Sequence, residues 1–346
     1  MPGQFISPEG DLEQIFIDDY QMIDQYAATG SLWLWGGNGS GQLGDNTIVN
    51  KSSPVQTISI GTNWKQVAAG NDYVAAIKTD GALWLWGSNG YGQLGTNNQT
   101  PRSSPVQTIA GGTNWKLVAC GWAHTAAIKT DGTLWLWGSS NSGALGDGQT
   151  AVNKLTPVQT VSGGNDWKQV SCGRYFTAAI KTDGTLWMWG ANTSGQLGDN
   201  TTTPKSSPVQ TVAGGTNWKQ VGSGLGNHVA AIKTNGTLWV WGYNNLGQLG
   251  LNAGGNRSSP IQTVAAGTDW KQVATSDFNT VAIKTDGTLW TWGYNNVGQV
   301  GDNTTTARSS PVQTAAAGTN WKQAICAPAR ASAIYFYDAG NLYPSA

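Results

Sequence analysis

Charge is scarce in this chain: only 11% of its 346 residues are Asp, Glu, Lys or Arg, and 19 basic residues balance 19 acidic ones. A nucleic-acid surface needs an excess of Lys and Arg to neutralise phosphates, so no nucleic-acid partner is expected. Histidine occurs twice, at His124 and His228, and cysteine three times, with no cluster of carboxylates at acid–base or ligand spacing. Acid–base catalysis and metal coordination draw on those groups, so no catalytic residue, metal site or cofactor is expected, and the chain reads as a non-enzyme. No apolar run approaches the about 18 residues that cross a bilayer, which argues against membrane insertion. Met1-Pro2-Gly3-Gln4 lacks the positive opening of a secretory signal, and synthesis in the cytoplasm is expected.

What the chain has in abundance is tryptophan and glycine, 19 and 48 residues. The phrase Leu-Trp-x-Trp-Gly recurs six times, its first Trp at Trp33, Trp84, Trp135, Trp187, Trp239 and Trp290, a spacing of 51 or 52 residues. Units of that size holding short apolar strands bury their faces only against copies of themselves. In Ala75-Ala76-Ile77-Lys78-Thr79-Asp80-Gly81-Ala82-Leu83-Trp84-Leu85-Trp86 an Asp-Gly turn joins two apolar runs, the strongest local hairpin signal. Trp84 and Trp86 share one strand face and Leu83 and Leu85 the other, so both faces are apolar, as a sheet sandwiched between neighbours requires. The fold class expected is all-β, a seven-bladed β-propeller of about 51-residue repeats with four-stranded blades.

The count of seven rests on the chain ends. Residues 2–33 have the length of a degenerate first repeat, and Ile334-Tyr335-Phe336-Tyr337 echoes the hairpin of a last one. Residues 11–26 also fit an amphipathic helix, with Leu12, Ile15, Phe16, Ile23 and Tyr26 near helical spacing; seven blades are expected on either reading. The division expected is an acidic segment over residues 1–30, degenerate repeat or docking tab, and a propeller closing its ring over residues 31–346.

Trp64-Lys65-Gln66-Val67-Ala68-Ala69-Gly70, the hairpin at Asp80-Gly81-Ala82-Leu83-Trp84-Leu85-Trp86-Gly87, and Asn89-Gly90-Tyr91-Gly92-Gln93-Leu94-Gly95 resemble the regulator of chromosome condensation repeat. The resemblance covers residues 31–337 and implies a seven-bladed propeller; the notion of a bacterial or phage-type member goes with it. It also implies candidate activities: the family's eponymous protein exchanges nucleotide on a nuclear GTPase and binds chromatin, and a secreted bacterial group inhibits β-lactamases through aromatic loops. Function follows the site and not the fold. Zero net charge and the lack of an inserted wedge weigh against exchange activity here.

Positions where near-identical repeats disagree carry the functional signal. Between the Trp-Lys phrase and Ala-Ala-Ile-Lys lie Asn71-Asp72-Tyr73, Trp122-Ala123-His124, Arg174-Tyr175-Phe176, Leu225-Gly226-Asn227-His228, Asp277-Phe278-Asn279 and Pro328-Ala329-Arg330. The same connection recurs in every blade, so these loops form a ring on one face. Aromatic residues with Arg and His are the composition of a recognition surface. The candidate binding residues are Asp72, Tyr73, Trp122, His124, Arg174, Tyr175, Phe176, His228, Asp277, Phe278 and Arg330; the competing reading is that they fill gaps between blades. By contrast, Cys120, Cys172 and Cys326 share a position with Ala69, Ser223 and Thr275, a small packing slot for free thiols. Lys51, Arg102, Lys154, Lys205, Arg257 and Arg308 recur once per repeat as solvated charges, and Asp-Asn-Thr-Thr stretches read as turns, lacking calcium-loop spacing.

Residues 1–24 hold six acidic residues and no Lys or Arg, leaving the remainder with an excess of six positive charges. Such a tab folds back on its own propeller or docks the protein onto an assembly; the candidate docking residues are Leu12, Ile15, Phe16, Asp18, Asp19, Tyr20, Ile23 and Tyr26. The stretch from Gly10 to Tyr26 is similar to the start of repeat proteins of tailed phages. The expectation is therefore a virion structural or adhesion protein of a tailed bacteriophage, tail- or capsid-associated. Its partners would be other virion proteins and a host surface glycan or protein receptor. The alternatives are a cytoplasmic protein-binding scaffold or GTPase-regulator-like propeller, and an enzyme-inhibitor-like binder.

Overall fold

Five of the six Leu-Trp-x-Trp-Gly phrases are each the third strand of a four-stranded antiparallel sheet. In the second repeat the strands run Trp64–Ala69, Tyr73–Lys78, Leu83–Gly87 and Arg102–Gln107, hydrogen-bonded in that order. The computed structural model describes residues 15–17, 30–58, 63–321, 323–324 and 336–337. Among these residues there are seven sheets: five of four strands, one of three and one of two. One 3-10 turn, Asn141–Gly143, is the helical content of the described residues. The all-β, seven-bladed propeller read from the repeats is the fold.

The three-stranded sheet contains Leu32–Gly36 and Lys51–Gln56, joined by Ile15–Ile17. Ile15 and Phe16 are thus extended, so a continuous helix over residues 11–26 is excluded at these positions. Ile15–Ile17 runs parallel to Leu32–Gly36, where every full blade pairs its second and third strands antiparallel. Leu12, Asp18, Asp19, Tyr20, Ile23 and Tyr26, with Cys326 and Arg330, lie outside the described residues.

The repeat phrases translate into specific bonds. Strands buried on both faces, such as Val74-Ala75-Ala76-Ile77 at 5% exposure or less, need apolar residues without alternation. The Asp-Gly turn sets Gly81 at φ +82°, and a Cβ there would sit 2.2 Å from the Thr113 carbonyl oxygen of the next blade. Glycine is required on both counts. From the second phrase on, the second Trp is fully buried and donates to the preceding blade: Trp86 Nε1 to Gln42 O at 2.9 Å, Trp137 to Gln93 O at 2.8 Å, Trp189 to Ala144 O at 2.9 Å. The Gly-Gln-Leu-Gly loop is therefore the acceptor that locks blade to blade. The first Trp of the phrase is half-buried, and with the inner-strand Trp it sandwiches a lysine: Lys78 Nζ lies 4.9 Å from the rings of both Trp64 and Trp84, a cation–π contact on each side.

Four of the six recurring rim cations also have carboxylate partners. Lys51, Lys154 and Lys205 pair with Asp45, Asp147 and Asp199 at 3.2 to 3.6 Å, and Arg308 pairs with Asp302. Those aspartates anchor turns; Asp199 Oδ1 accepts from Thr201 N and Oγ1 at 3.1 and 2.7 Å. The Asp-Asn-Thr-Thr stretches are turns, as their spacing indicates. Cys120 and Cys172 are free and buried, each Sγ directed at a carbonyl of the neighbouring inner strand.

Candidate functional site

Each four-stranded blade turns from its first to its second strand at the end opposite the Asp-Gly turns, so the described variable loops occupy one face of the ring. They are stitched to the segments that follow the third strand: Ser88 N donates to Asp72 O at 2.7 Å, Ser139 N to Ala123 O at 2.8 Å, and Tyr294 N to Phe278 O at 3.1 Å. Two sets of side chains from each blade therefore meet on this face.

Aromatic rings link three blades there. Tyr91 and Trp122 have centroids 5.9 Å apart, and Trp122 and Tyr175 meet edge-on at 5.4 Å. The exposed Arg174 guanidinium lies 5.5 Å from the centroid of Tyr175. Trp122 and Tyr175 are half-buried, and Tyr91 is 39% exposed. Across the face Phe278 and Tyr294, both half-buried, form a second edge-on pair at 6.1 Å. Such pairs favour one another by about 0.5 to 1.5 kcal/mol beyond area burial, which biases the rings toward this arrangement.

Two carboxylates flank these rings. Burial raises the pKa of Asp277 above its usual value, and the charge of Arg174 opposes that rise. Burial likewise raises Asp72, opposed by a hydrogen bond of 2.6 Å from Asn71 Nδ2. Arg174 is thus positioned to act on Asp277 from another blade and still present its guanidinium outward.

Four of the candidate binding residues are not at the surface. Tyr73, His124, Phe176 and His228 are 1% exposed or less. Tyr73 Oη donates to His124 O at 2.5 Å in the next blade, and the Nε2 atoms of His124 and His228 bond Thr177 and Thr280 Oγ1 at 3.1 and 3.0 Å. The last residue of each described loop starts the second strand, and at these four positions its side chain turns into the blade interface. These four join blades and do not face a partner, which corrects their reading as surface residues. Burial lowers both histidines to about 4, so they are neutral at pH 7.

Tyr91 and Tyr294 were outside the loops singled out from sequence. Their signal was present in the same form: the position of Tyr91 holds Ser40, Ser142, Ser194, Leu246 and Val297 in other repeats, and that of Tyr294 holds Gly37, Ser88, Ser139, Ala191 and Tyr243. Among the described residues no group of three His, Cys, Asp or Glu side chains is placed to hold a metal ion. None of their helices is long and apolar enough to cross a membrane.

Known proteins share this arrangement. The ultraviolet-B receptor UVR8 of Arabidopsis thaliana is 35% identical over 239 residues, covering 67% of this chain and 53% of that protein. The chain spans about half to three fifths of the length of the curated relatives it matches first, 53% and 61%. Human WBSCR16 superposes with a TM-score of 0.76 at 21% identity, covering 91% of this chain and 85% of its own. Prp20p of Saccharomyces cerevisiae, whose structure was determined with its binding to Gsp1p and histones, superposes with a TM-score of 0.64 at 15% identity, covering 88% and 91%. Residues 25–334 match the RCC1-like domain. The chain belongs to the RCC1-like domain family of β-propellers.

Proposed function

We propose that the protein is a non-enzymatic binding propeller that holds a protein partner on its variable-loop face. The observation that carries this reading is the series Tyr91–Trp122–Tyr175, which spans three blades with centroids 5.4 to 5.9 Å apart and is capped by Arg174. Half-exposed Trp, Tyr and Arg in a preorganised cluster are the residues that dominate protein interfaces. A partly desolvated acid, Asp277, beside that cluster adds a charge that a partner must match.

This is the scaffold reading and not the virion one. A role in a tailed-phage particle, suggested by the acidic opening stretch, draws no support from the relatives named above, which come from a plant, human and yeast. Prp20p is a propeller described by the proteins it binds, which agrees with a protein partner here. The same rings could also stack on a sugar, so the test separates the two ligands.

The experiment compares partners captured by the wild-type chain and by Trp122→Ala and Arg174→Ala, alongside a glycan array. The expected result is a protein retained by wild type and lost from both variants, with no array signal. Equal retention by the variants, or a glycan signal that Trp122→Ala removes, overturns a protein partner at this face.

A further inference from the structure

Five lysines stand between pairs of tryptophan rings at the end of the propeller opposite the variable loops. Lys78, Lys129, Lys181, Lys233 and Lys284 each close the second strand of a four-stranded blade. In every one Nζ lies 4.6 to 5.5 Å from the centroids of the inner-strand Trp and of the first Trp of the repeat phrase. The clamps are alike in their rings and differ in their acids.

Two positions of the repeat supply those acids, one before the inner Trp and one at the hairpin turn. At the first, Asp166 and Asp269 pair with Lys181 and Lys284 at 3.2 Å, where the other blades hold Asn63, Asn114 and Asn217. At the second, hydrogen bonds from the Thr two residues on hold Asp131, Asp183 and Asp286 below the usual carboxylate value, and the charge of Lys129, Lys181 or Lys284 adds to the effect. Asp80 fills this position in the second repeat and Asn235 in the fifth. Among the five clamps, that of Lys233 alone has asparagine at both positions.

No other anion takes the place of the missing acids. The turn over residues 234–237 and the strand Leu238–Gly242 are uncharged, and the inner strand Trp218–Ser223 carries only the exposed Lys219, a like charge. Asp269 of the next blade, whose backbone borders the turn at Gly236, is already paired with Lys284. Lys233 is half-buried, with Nζ 4.6 and 4.7 Å from the rings of Trp218 and Trp239. Burial there lowers its pKa below the ordinary lysine value, because desolvation disfavours the charged form and no carboxylate opposes it. The attraction of the rings for the cation is common to all five clamps and does not separate them. A lysine that gives up its proton more readily is the better nucleophile, since the free amine is the reacting form.

We infer that Lys233 is an acylation site, reacting with small activated acyl donors of the acyl phosphate class ahead of the other four clamp lysines. The Nζ lone pair attacks the acyl carbonyl carbon and a C–N bond forms. The C–O bond to phosphate breaks, phosphate leaves with that electron pair, and the surplus proton on nitrogen passes to water. The amide is neutral, so acylation removes the cation from between Trp218 and Trp239 and leaves the aliphatic stem in place. The inference is independent of the binding face proposed above, which lies at the other end of the ring.

Limited acetylation of the folded full chain with acetyl phosphate tests it, each lysine being normalised to its labelling in the urea-unfolded chain and read by peptide mapping. Near neutral pH Lys233 is expected to react at least about threefold faster than Lys78, Lys129, Lys181 and Lys284, and its rate should level off at a lower pH than theirs. Asn217→Asp with Asn235→Asp reproduces the acids of the Lys181 and Lys284 clamps. It should bring Lys233 down to their rate while the other four rates stay as they are. A wild-type Lys233 no faster than the other clamp lysines overturns the inference, whether or not the variant folds. A fast Lys233 that the two acids do not slow overturns it as well, because access and not the missing carboxylates would then set the rate.

Discussion

Gln66 holds Val118 from both sides: its Nε2 donates to the Val118 carbonyl and its Oε1 accepts from the Val118 amide, each at 3.1 Å, across 52 residues of sequence. Gln169 brackets Val221 and Gln220 brackets Val273 in the same way, and Gln272 accepts from Ala324 N. The inner strands thus share a polar seam, supplied by one Gln side chain in four of the five four-stranded blades. At Leu117 the repeat substitutes an apolar residue, so the seam facing Val170 lacks its bracket. Gln66→Leu should reproduce that state and leave two buried backbone groups of Val118 unpaired. A cost of about 1 to 3 kcal/mol is expected, read from the denaturant midpoint of the mutant against wild type.

The Asp-Gly turns offer a sharper test. Gly132 has φ +82°, and a Cβ on it would lie 2.0 Å from the Asn165 carbonyl oxygen. Gly132→Ala meets both a left-handed backbone and a backbone clash with the next blade. Destabilisation above about 2 kcal/mol follows, whereas Gly90→Ala, with nothing within 4 Å of its Cβ, should leave the midpoint within about 0.5 kcal/mol.

Acid should loosen the blade contacts at the two histidines. Burial lowers both His124 and His228 from 6.5 to about 4, and neither Nδ1 has a partner among the described residues. The unfolded chain takes up protons at these groups before the folded one does. Their contribution is therefore fully present above pH 6.5 and is lost as pH falls toward 4. Asp72 and Asp277, whose pKa values are raised, act in the opposite sense. Thermal melts from pH 7 to 4.5 should show a falling Tm, and His124→Gln with His228→Gln should flatten that fall; an unchanged pH slope contradicts the assignment.

Trp122 should matter for binding and little for folding. It is half-buried in a loop, and its contacts are with Tyr91 and Tyr175. Trp122→Ala is expected to weaken partner affinity at least tenfold, about 1.4 kcal/mol or more, measured by titration calorimetry. Its denaturant midpoint should stay closer to wild type than that of Gly132→Ala.

Repetition made the fold legible. Six copies of one phrase average out local ambiguity, and the roles of the Asp-Gly turn, the two Trp and the small Cys slot all follow from residues that recur. The bonds between copies were less legible, because the acceptor of Trp86 is a carbonyl 44 residues away and backbone acceptors leave no mark in side-chain identity. At the site, sequence located the loops but could not divide them: in Arg174-Tyr175-Phe176 the first two face outward or half outward and the third is buried. That division depends on where the second strand begins, a boundary of one residue. Tyr91 was missed because its proximity to Trp122 arises from neighbouring blades and from no local pattern.

The most direct test of the binding face is site-specific photo-crosslinking in living cells. A benzophenone amino acid is placed at Tyr91 or Arg174 on the loop face, and at Asp80 or Asp131 in the opposite turns. A discrete protein adduct from Tyr91 and Arg174, absent from the turn positions and lost with Trp122→Ala, is the outcome expected. Adducts that form from the turn positions alone would contradict the account and move the recognition surface to the other end of the propeller.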